Sequence, residues 1–320
     1  MNRLVAALAA AAAVFAGVAG AQDYPSRPVR FVVPYTPGTG ADILARLIGA
    51  RLSERWKQAV VVDNKPGATG NIGAEAVAKS APDGLTVLFP ATSFATNASL
   101  TNAPYDPEKS FEPVALVATS TLAVLVNPQL PARSMREFID LAKAQPGKLT
   151  YSSPGNGGVQ HLAMELIKLE TGINIMHIPY KGASGALSDA VGGHVDATVA
   201  ALQSASPLAH GGKLRMLTVL SAERAAAFPD VPTLKEQQGM PDLEIDTWYG
   251  AFVPAGTPAE IVQKLNAGIN ESLKDPQIKA SIEKQGLLTA GGDPARLQRL
   301  LQSELARWAR VVKAAGIKGD

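Results

Sequence analysis

The chain has 320 residues, 46% of them hydrophobic, and its 30 lysines and arginines against 28 aspartates and glutamates give a formal net charge of +2. This length is about twice that of a common single domain, so we expect two packed units. The low, interspersed charge argues against a nucleic-acid-binding protein, and the absence of cysteine excludes thiol catalysis, disulfide bonds and thiolate metal sites.

The first 21 residues have the pattern of a cleaved secretion signal. Arg3 precedes an alanine-rich apolar run over 4–18, and Ala19-Gly20-Ala21 offers a small-residue cleavage site before Gln22. The run is too short and too rich in alanine for a good membrane-spanning helix. We therefore predict a soluble protein in the periplasm, cleaved near Ala21/Gln22, and the lack of cysteine suits such an oxidising compartment.

Behind this leader, β-branched runs alternate with helical patterns, which is typical of parallel α/β layers. The first unit is predicted to hold strands at 29–33, 59–62 and 86–89 and helices at 42–56 and 72–79. Two more apolar runs, 114–117 and 123–126, are separated by Ala118-Thr119-Ser120-Thr121. We interpret them as one strand leaving the first unit and another entering a second.

The second unit repeats the alternation. Ser134 and Glu137 have the spacing of a capping box, and Thr233 and Glu236 repeat it at a short helix. Between them the pattern predicts, in chain order, a helix from 134 to about 143, a strand at 149–152, a helix at 159–170, a strand at 174–178, a helix at 183–191 and strands at 195–199 and 214–220.

An extended apolar segment over 246–253 predicts the return to the first unit. Thr257 is expected to cap a helix opened by Pro258, and Asp-Pro pairs at 275 and 293 open the last two helices, in which Trp308 is a packing residue. The predicted architecture is two α/β lobes joined by extended crossings near 118–124 and 244–252. Lobe 1 is assigned 22–120 and 248–320, and lobe 2 is assigned 121–247.

Two glycine-rich strand-to-helix turns, one in each lobe, form the candidate site, in a cleft of the kind where small-molecule sites are common. The turn at 34–42 follows the first strand, and the turn at 151–158 opens the helix that carries His161. Glycine allows a sharp turn that presents backbone N–H groups, and the start of a helix adds partial positive charge, so each turn can bind an anion. The first turn alone is equally consistent with a plain connection capped by Asp42.

Enzyme motifs are poorly matched. The run at 66–70 lacks the Gly-Lys-Ser/Thr ending of a phosphate-binding loop, and Ile43 stands where a dinucleotide fingerprint needs its third glycine. The run at 181–186 lacks the final glycine of a nucleophile elbow. The four histidines have no metal-ligand spacing, so we expect no cofactor and no metal.

The two glycine turns and several other short segments resemble the extracytoplasmic receptors of tripartite tricarboxylate transporters, the Bug family. The matching segments run in order along the chain: 24–28, 34–46, 62–68, 81–84, 155–165, 179–182, 192–196, 228–233, 248–250 and 254–258. The resemblance implies a two-lobe periplasmic-binding-protein fold of the Venus flytrap, type II-like kind. It also implies a carboxylate held by the turns 35–42 and 153–158, partly through ordered water.

The same resemblance implies which residues contact the ligand. They are Tyr35, Thr36, Gly38, Thr39, Gly40, Ala41 and Asp42 in the first turn, Thr92 and Ser93 in a nearby loop, Ser153, Gly155, Asn156, Gly157, Gly158 and His161 around the second turn, and Tyr180, Lys181, Ala200, Gln203 and Trp248 in further loops.

Two departures from the family pattern bear on the ligand. Gly38-Thr39-Gly40-Ala41 replaces the usual run of glycines followed by Thr or Ser, so a side-chain hydroxyl has moved. Ala200-Ala201-Leu202-Gln203-Ser204 stands where many members have Asp-Asn-Leu-Pro-Ser. Without a carboxylate at 200 there is no obvious partner for an ammonium group. We therefore predict a ligand without positive charge, a mono- or dicarboxylate, aromatic ones included.

The leading hypothesis is a monomeric receptor that closes on its ligand and delivers it to the membrane permease subunits of a tripartite tricarboxylate-type transporter, without binding nucleic acid. One alternative is a sensor that presents its closed form to a membrane histidine kinase. A lesser alternative is an exported hydrolase that uses Ser153 or Ser184 with His161.

Overall fold

A computed structural model of the protein describes residues 24–180, 182–241 and 243–317. The predicted secretion signal, 1–21, lies outside the described residues, as does Lys181. Among the helices described, none combines the length and apolar character needed to cross a membrane.

The strands are β1 Val29–Val33, β2 Val60–Asn64, β3 Thr86–Leu88, β4 Phe111–Val126, β5 Thr150–Ser153, β6 Met176–Pro179, β7 Ala197–Ala201, β8 Arg215–Val219, β9 Asp246–Pro254 and β10 Leu288–Thr289. The helices are α1 Gly40–Trp56, α2 Asn71–Ala78, α3 Ser93–Leu100, α4 Met135–Ala144, α5 Val159–Thr171, α6 Ala183–Gly192, α7 Leu202–His210, α8 Ala259–Lys274, α9 Pro276–Lys284 and α10 Pro294–Ala315. A short 3₁₀ turn, Ala68–Gly70, precedes α2.

Strand β4 is shared by two groups of strands. The path through the sheet is β2-β1-β3-β9-β4-β7-β5-β6, and β8 and β10 also pair with β4. Strand β1 runs parallel to β2 and β3, and β5 runs parallel to β6 and β7, whereas β4 is antiparallel to all its partners. The two α/β units predicted from the alternating pattern are therefore present, each with its own parallel strands.

The crossing from one unit to the other differs from the prediction. The two apolar runs and the residues between them form one 16-residue strand rather than two strands. The connecting residues are extended because they pair with β9, with Thr119 opposite Trp248 and Thr121 opposite Asp246. Such β-branched threonines suit a strand, and the partner strand supplies the backbone hydrogen bonds.

Helix starts were predicted with mixed success. Ser134, Asp275 and Asp293 each accept a hydrogen bond from a backbone N–H in the first turn of a helix, as expected. Thr257 instead donates its hydroxyl to the Pro254 carbonyl, and α8 starts at Ala259.

The predicted helix at Thr233 does not form. Glu236 accepts from the Thr233 N–H, but the Thr233 hydroxyl has no hydrogen-bond partner among the described residues, so the capping box is only half made and the segment stays a turn. Helices α3 and α7 were not predicted. Helix α3 reads SFATNASL and α7 contains Pro207, so neither has a strong helix-forming composition.

The C-terminal helix α10 connects the two units. One apolar cluster includes its Leu301, Trp308 and Val312 together with Leu88 of the first unit and Leu166 of the second. A second cluster lies between β1, β4, α1 and α8, and a third lies between β4, β7 and α6. Trp308 is fully buried, which confirms it as a packing residue.

Candidate functional site

The first glycine turn is fixed by the buried carboxylate of Asp42, on the third residue of α1. Its Oδ2 accepts from the Gly38 N–H at 2.9 Å and from Arg46 Nε at 3.1 Å, and its Oδ1 accepts from Asn64 Nδ2 at 2.9 Å. Burial opposes ionisation, but the hydrogen bonds from Arg46, Gly38 and Asn64 outweigh it and lower the pKa of Asp42. Asp42 and Gly38, both predicted to contact a ligand, are bonded to each other through the Gly38 N–H.

Tyr35 joins this turn to the next loop. Its hydroxyl lies 2.6 Å from Ser93 Oγ, at the first residue of α3, and accepts from the Ala91 N–H at 3.0 Å. Burial raises the pKa of Tyr35, so the phenol is neutral. Within the turn itself, the Thr39 hydroxyl donates to the Thr36 carbonyl. The predicted residues at 35–41 and 92–93 are thus neighbours in space.

Tyr249 of β9 closes the turn from the sheet side. A Cβ on Gly40 would lie 2.7 Å from Tyr249 Oη and 2.9 Å from its Cζ, so any larger residue would have to displace the Tyr249 ring. Burial raises the pKa of Tyr249 to about 12. The close approach explains why glycine starts α1.

The second glycine turn is held by two side chains beneath it. Ser153 is fully buried, and its Oγ donates to the Gly155 carbonyl at 2.9 Å and lies 2.7 Å from His177 Nε2. His161 Nδ1 accepts from the Gly157 N–H at 3.0 Å. Since Nδ1 is the acceptor, a neutral His161 carries its proton on Nε2.

The two histidine rings are stacked, with centroids 3.8 Å apart. Burial lowers the pKa of both, and that of His177, which also faces His161, falls to about 3. Both rings are therefore neutral near pH 7. Below them, Glu165 Oε1 accepts from the Tyr151 hydroxyl and from Lys168 Nζ, each at 2.7 Å. This network fixes the shape of the turn without adding a charged histidine to it.

Helix α3 brings the two turns near each other. Its first residue, Ser93, bonds to Tyr35 of the first turn, and its last residue, Leu100, lies against Gly157 of the second, where a Cβ would be 2.9 Å from Leu100 Cδ1. An eight-residue helix is about 12 Å long, so the turns are separated by a span of that order. The two turns therefore lie near opposite ends of one short helix.

Three predicted contact residues have other roles in this arrangement. Trp248 is 1% exposed, and its backbone N–H donates to Thr92 Oγ1, which ties that hydroxyl to the sheet. Ala200 is 2% exposed and packs in the third apolar cluster. Gln203 accepts from the Ser120 hydroxyl at 2.7 Å and lies so close to Gly286 that no Cβ fits there. These contacts place the three residues at or beside β4, the strand shared by the two units.

Tyr180 lies beside the second turn. Its N–H donates to the Ser153 carbonyl at 3.0 Å, and its hydroxyl bonds to Asp189, which raises the pKa of Tyr180 to about 12. Asn156 is exposed at the tip of the turn, and Gly158 precedes the first residue of α5. Lys181, the next predicted contact, lies outside the described residues.

Four residues of this site were not predicted to belong to it. They are Arg46 and Asn64, which bind Asp42, His177, which bonds to Ser153, and Tyr249. Arg46 lies four residues after Asp42, a spacing that predicts a helical ion pair. The other three come from distant strands and carry no local signal.

The geometry offers little support for a hydrolase or for a metal site. Ser153 lies beside His177 rather than the expected His161, and it is fully buried. Its Oγ is also bonded to the backbone of Gly155, which holds the hydroxyl inside the turn. Within residues 24–180, 182–241 and 243–317, no group of three or more His, Asp or Glu side chains could hold a metal ion.

Comparison with known proteins gives one consistent family. The family model described as "Tripartite tricarboxylate transporter family receptor" matches residues 44–317. Protein BugT of Bordetella pertussis is 36% identical over 99% of each chain. A TctC solute-binding protein from Polaromonas, solved without ligand, has a TM-score of 0.84 at 30% identity and covers 91% of this chain and 99% of its own.

A Rhodopseudomonas palustris protein solved with adipate has a TM-score of 0.75 at 37% identity and covers 93% of this chain and all of its own. These likenesses extend over nearly the whole described structure and confirm the predicted two-lobe α/β fold. The chain therefore belongs to the tripartite tricarboxylate transporter receptor family, the Bug and TctC group of periplasmic solute-binding proteins.

Proposed function

We propose that the protein binds a small mono- or dicarboxylate without positive charge, aromatic ones included, between its two glycine turns. It delivers this ligand to the membrane subunits of a tripartite tricarboxylate-type transporter. It acts in the periplasm after removal of the leader near Ala21/Gln22. The lobes that close on the ligand are 22–120 with 248–320, and 121–247.

The observation that carries this proposal is the pairing of the two turns across α3. Each turn joins a parallel strand to a long helix, the 17-residue α1 or the 13-residue α5. The first N–H groups of a helix lack partners within it and carry partial positive charge. Two helix N-termini about 12 Å apart suit the two carboxylates of a short diacid, or the carboxylate and the tail of a monoacid.

The charges around the turns favour a ligand without an ammonium group. The carboxylates nearest the turns are already paired: Asp42 with Arg46, Glu165 with Lys168, and Asp189 with the Tyr180 hydroxyl. Position 200 carries alanine. An ammonium group entering this space would lose its hydration without gaining a carboxylate partner.

Closure is supported by the comparison of liganded and ligand-free relatives. The chain is more similar in structure to the ligand-free Polaromonas protein than to the adipate-bound Rhodopseudomonas protein, although its sequence is less similar to the former. We propose that the chain is open when no ligand is bound. A ligand that binds the closed form better shifts the population toward it.

The test is calorimetric titration with succinate, adipate, benzoate, lysine and arginine, followed by thermal melting and small-angle X-ray scattering. We expect a carboxylate to bind, to raise the melting temperature and to reduce the radius of gyration. Micromolar binding of lysine or arginine would contradict the charge argument. Unchanged melting and radius at saturation would contradict closure.

A matched pair of variants tests the site itself. Gly38 and Gly172 have φ of +83° and +70°, and a Cβ added at either position would meet no atom within 4 Å. Gly38→Ala and Gly172→Ala therefore carry the same backbone cost of about 1 kcal/mol. Only Gly38 lies in a turn of the site. We expect Gly38→Ala to weaken carboxylate binding and Gly172→Ala to leave it unchanged, and equal affinities would contradict the location.

A further inference from the structure

Two tyrosine hydroxyls lie at the first turn, and only one of them is engaged. Tyr35 Oη is bonded to Ser93 and to the Ala91 N–H. Tyr249 Oη has no hydrogen-bond partner among the described residues. A neutral phenol can donate one hydrogen bond, and this donor lies over the backbone of Gly40, the first residue of α1.

Strand β9 directs this hydroxyl. Side chains alternate along a strand, so Tyr249 and Thr247 share one face and Trp248 points to the other, where its indole packs in the apolar cluster that includes Trp308 of α10. Thr247 Oγ1 is also buried without a hydrogen-bond partner in the described chain. The face of β9 that bears Tyr249 thus carries two hydroxyls whose hydrogen bonds are not made by the protein.

We infer that Tyr249 is a ligand-binding residue whose Oη donates a hydrogen bond to the carboxylate held at the start of α1. The inference rests on the proposed function. A Cβ at position 40 would lie 2.7 Å from the phenol oxygen and would displace it, so we expect Gly40→Ala to weaken binding. Since β9 is also a crossing strand paired with β4, this bond links the ligand to the segment that joins the lobes.

The test compares Tyr249→Phe with Tyr24→Phe. Tyr24 is a partly buried tyrosine of the first unit whose hydroxyl donates to the Gly84 carbonyl at 2.7 Å, away from both turns. Each variant is titrated with linear dicarboxylates of three to eight carbons and with benzoate. For the tightest-binding probe we expect Tyr249→Phe to raise Kd by about tenfold to a hundredfold, the range for a hydrogen bond to a charged oxygen. We expect Tyr24→Phe to stay within about twofold of the unsubstituted protein.

The outcomes separate the inference from the proposed function. If the unsubstituted protein binds a probe and Tyr249→Phe binds it equally well, the role of Tyr249 is refuted and the proposed function stands. If the unsubstituted protein binds no probe, both are refuted. The phenylalanine keeps the ring, so we expect its ligand-free melting temperature to change little. Should it fail to fold, Gly40→Ala is titrated instead, and unchanged affinity there overturns the inference.

Discussion

Replacing Asp42 by asparagine should loosen the first turn, because the charged Asp42 carboxylate accepts the hydrogen bonds that fix this turn. The side chain is 3% exposed and accepts hydrogen bonds from Gly38, Arg46 and Asn64. Asparagine has nearly the same shape but turns one acceptor oxygen into an NH2 donor. At least one of the three donors would then face another donor.

The expected cost follows from these contacts. Arg46 is 53% exposed and can be solvated, so its ion pair contributes little. Gly38 and Asn64 donate to different oxygens of Asp42, so asparagine loses one of these two bonds and keeps the other as a neutral bond. A hydrogen bond to a charged group contributes about 1.5–3 kcal/mol. We therefore expect Asp42→Asn to lower the free energy of unfolding by about 2–3 kcal/mol at pH 7 and to weaken carboxylate binding.

Urea denaturation at pH 7 and at pH 3 checks this expectation. Because the folded pKa of Asp42 is lowered, its contribution is present above the unfolded value near 4 and is lost as pH falls through the folded value. The difference in free energy of unfolding between Asp42→Asn and the unsubstituted protein should therefore be smaller at pH 3 than at pH 7. The control is Asp140→Asn, which removes an exposed partner of Arg136 and should cost less than about 0.5 kcal/mol. Equal costs for the two variants, or a cost independent of pH, would refute the reasoning.

Three other positions give predictions of the same kind. Burial raises the pKa of Asp246 from 3.8 to about 7, so the free energy of unfolding should decline by at most about 4 kcal/mol as pH rises from 3.8 through 7. Asp246→Asn should flatten this decline when urea midpoints are measured against pH, and an unchanged dependence on pH would contradict it. Burial lowers the pKa of His177 to about 3, so stability should fall as pH drops below 6.5, and His177→Gln should reduce that fall in the same assay. Gly157→Ala should lower the free energy of unfolding by about 1–2 kcal/mol and Gly172→Ala by about 1 kcal/mol, because only the former also contacts Leu100; equal melting temperatures would rule out that contact.

Much of the fold could be predicted because its signals are local. Asp275 and Asp293 each stand before a proline, and both cap the helices that follow. The strand–turn–helix alternation identified β1 and β5 and placed both glycine turns at their ends. Such signals depend on side chains within a few residues of each other, and their energies do not require the rest of the fold.

The features that could not be predicted depend on contacts between distant parts of the chain. Thr119 and its neighbours became part of β4 because β9, more than a hundred residues later, supplies their hydrogen-bond partners. His177 reaches Ser153 only because β6 pairs with β5 in parallel. Tyr249 reaches Gly40 although it lies about two hundred residues later in the chain. No local pattern specifies these pairings.

The same contacts change how the two turns can hold an anion. In sequence, every amide of a glycine turn is a candidate donor, but the Gly38 N–H is bonded to Asp42 and the Gly157 N–H to His161. These bonds fix the turns in a single shape, and only the remaining amides near the helix starts can reach a ligand. Preorganised donors bind with less loss of conformational freedom, so a few of them can hold a carboxylate firmly. Because few backbone amides remain free, a side-chain donor such as Tyr249 contributes a larger share of the affinity. We therefore expect Tyr249→Phe to weaken carboxylate binding more than the removal of any exposed charged side chain near the turns.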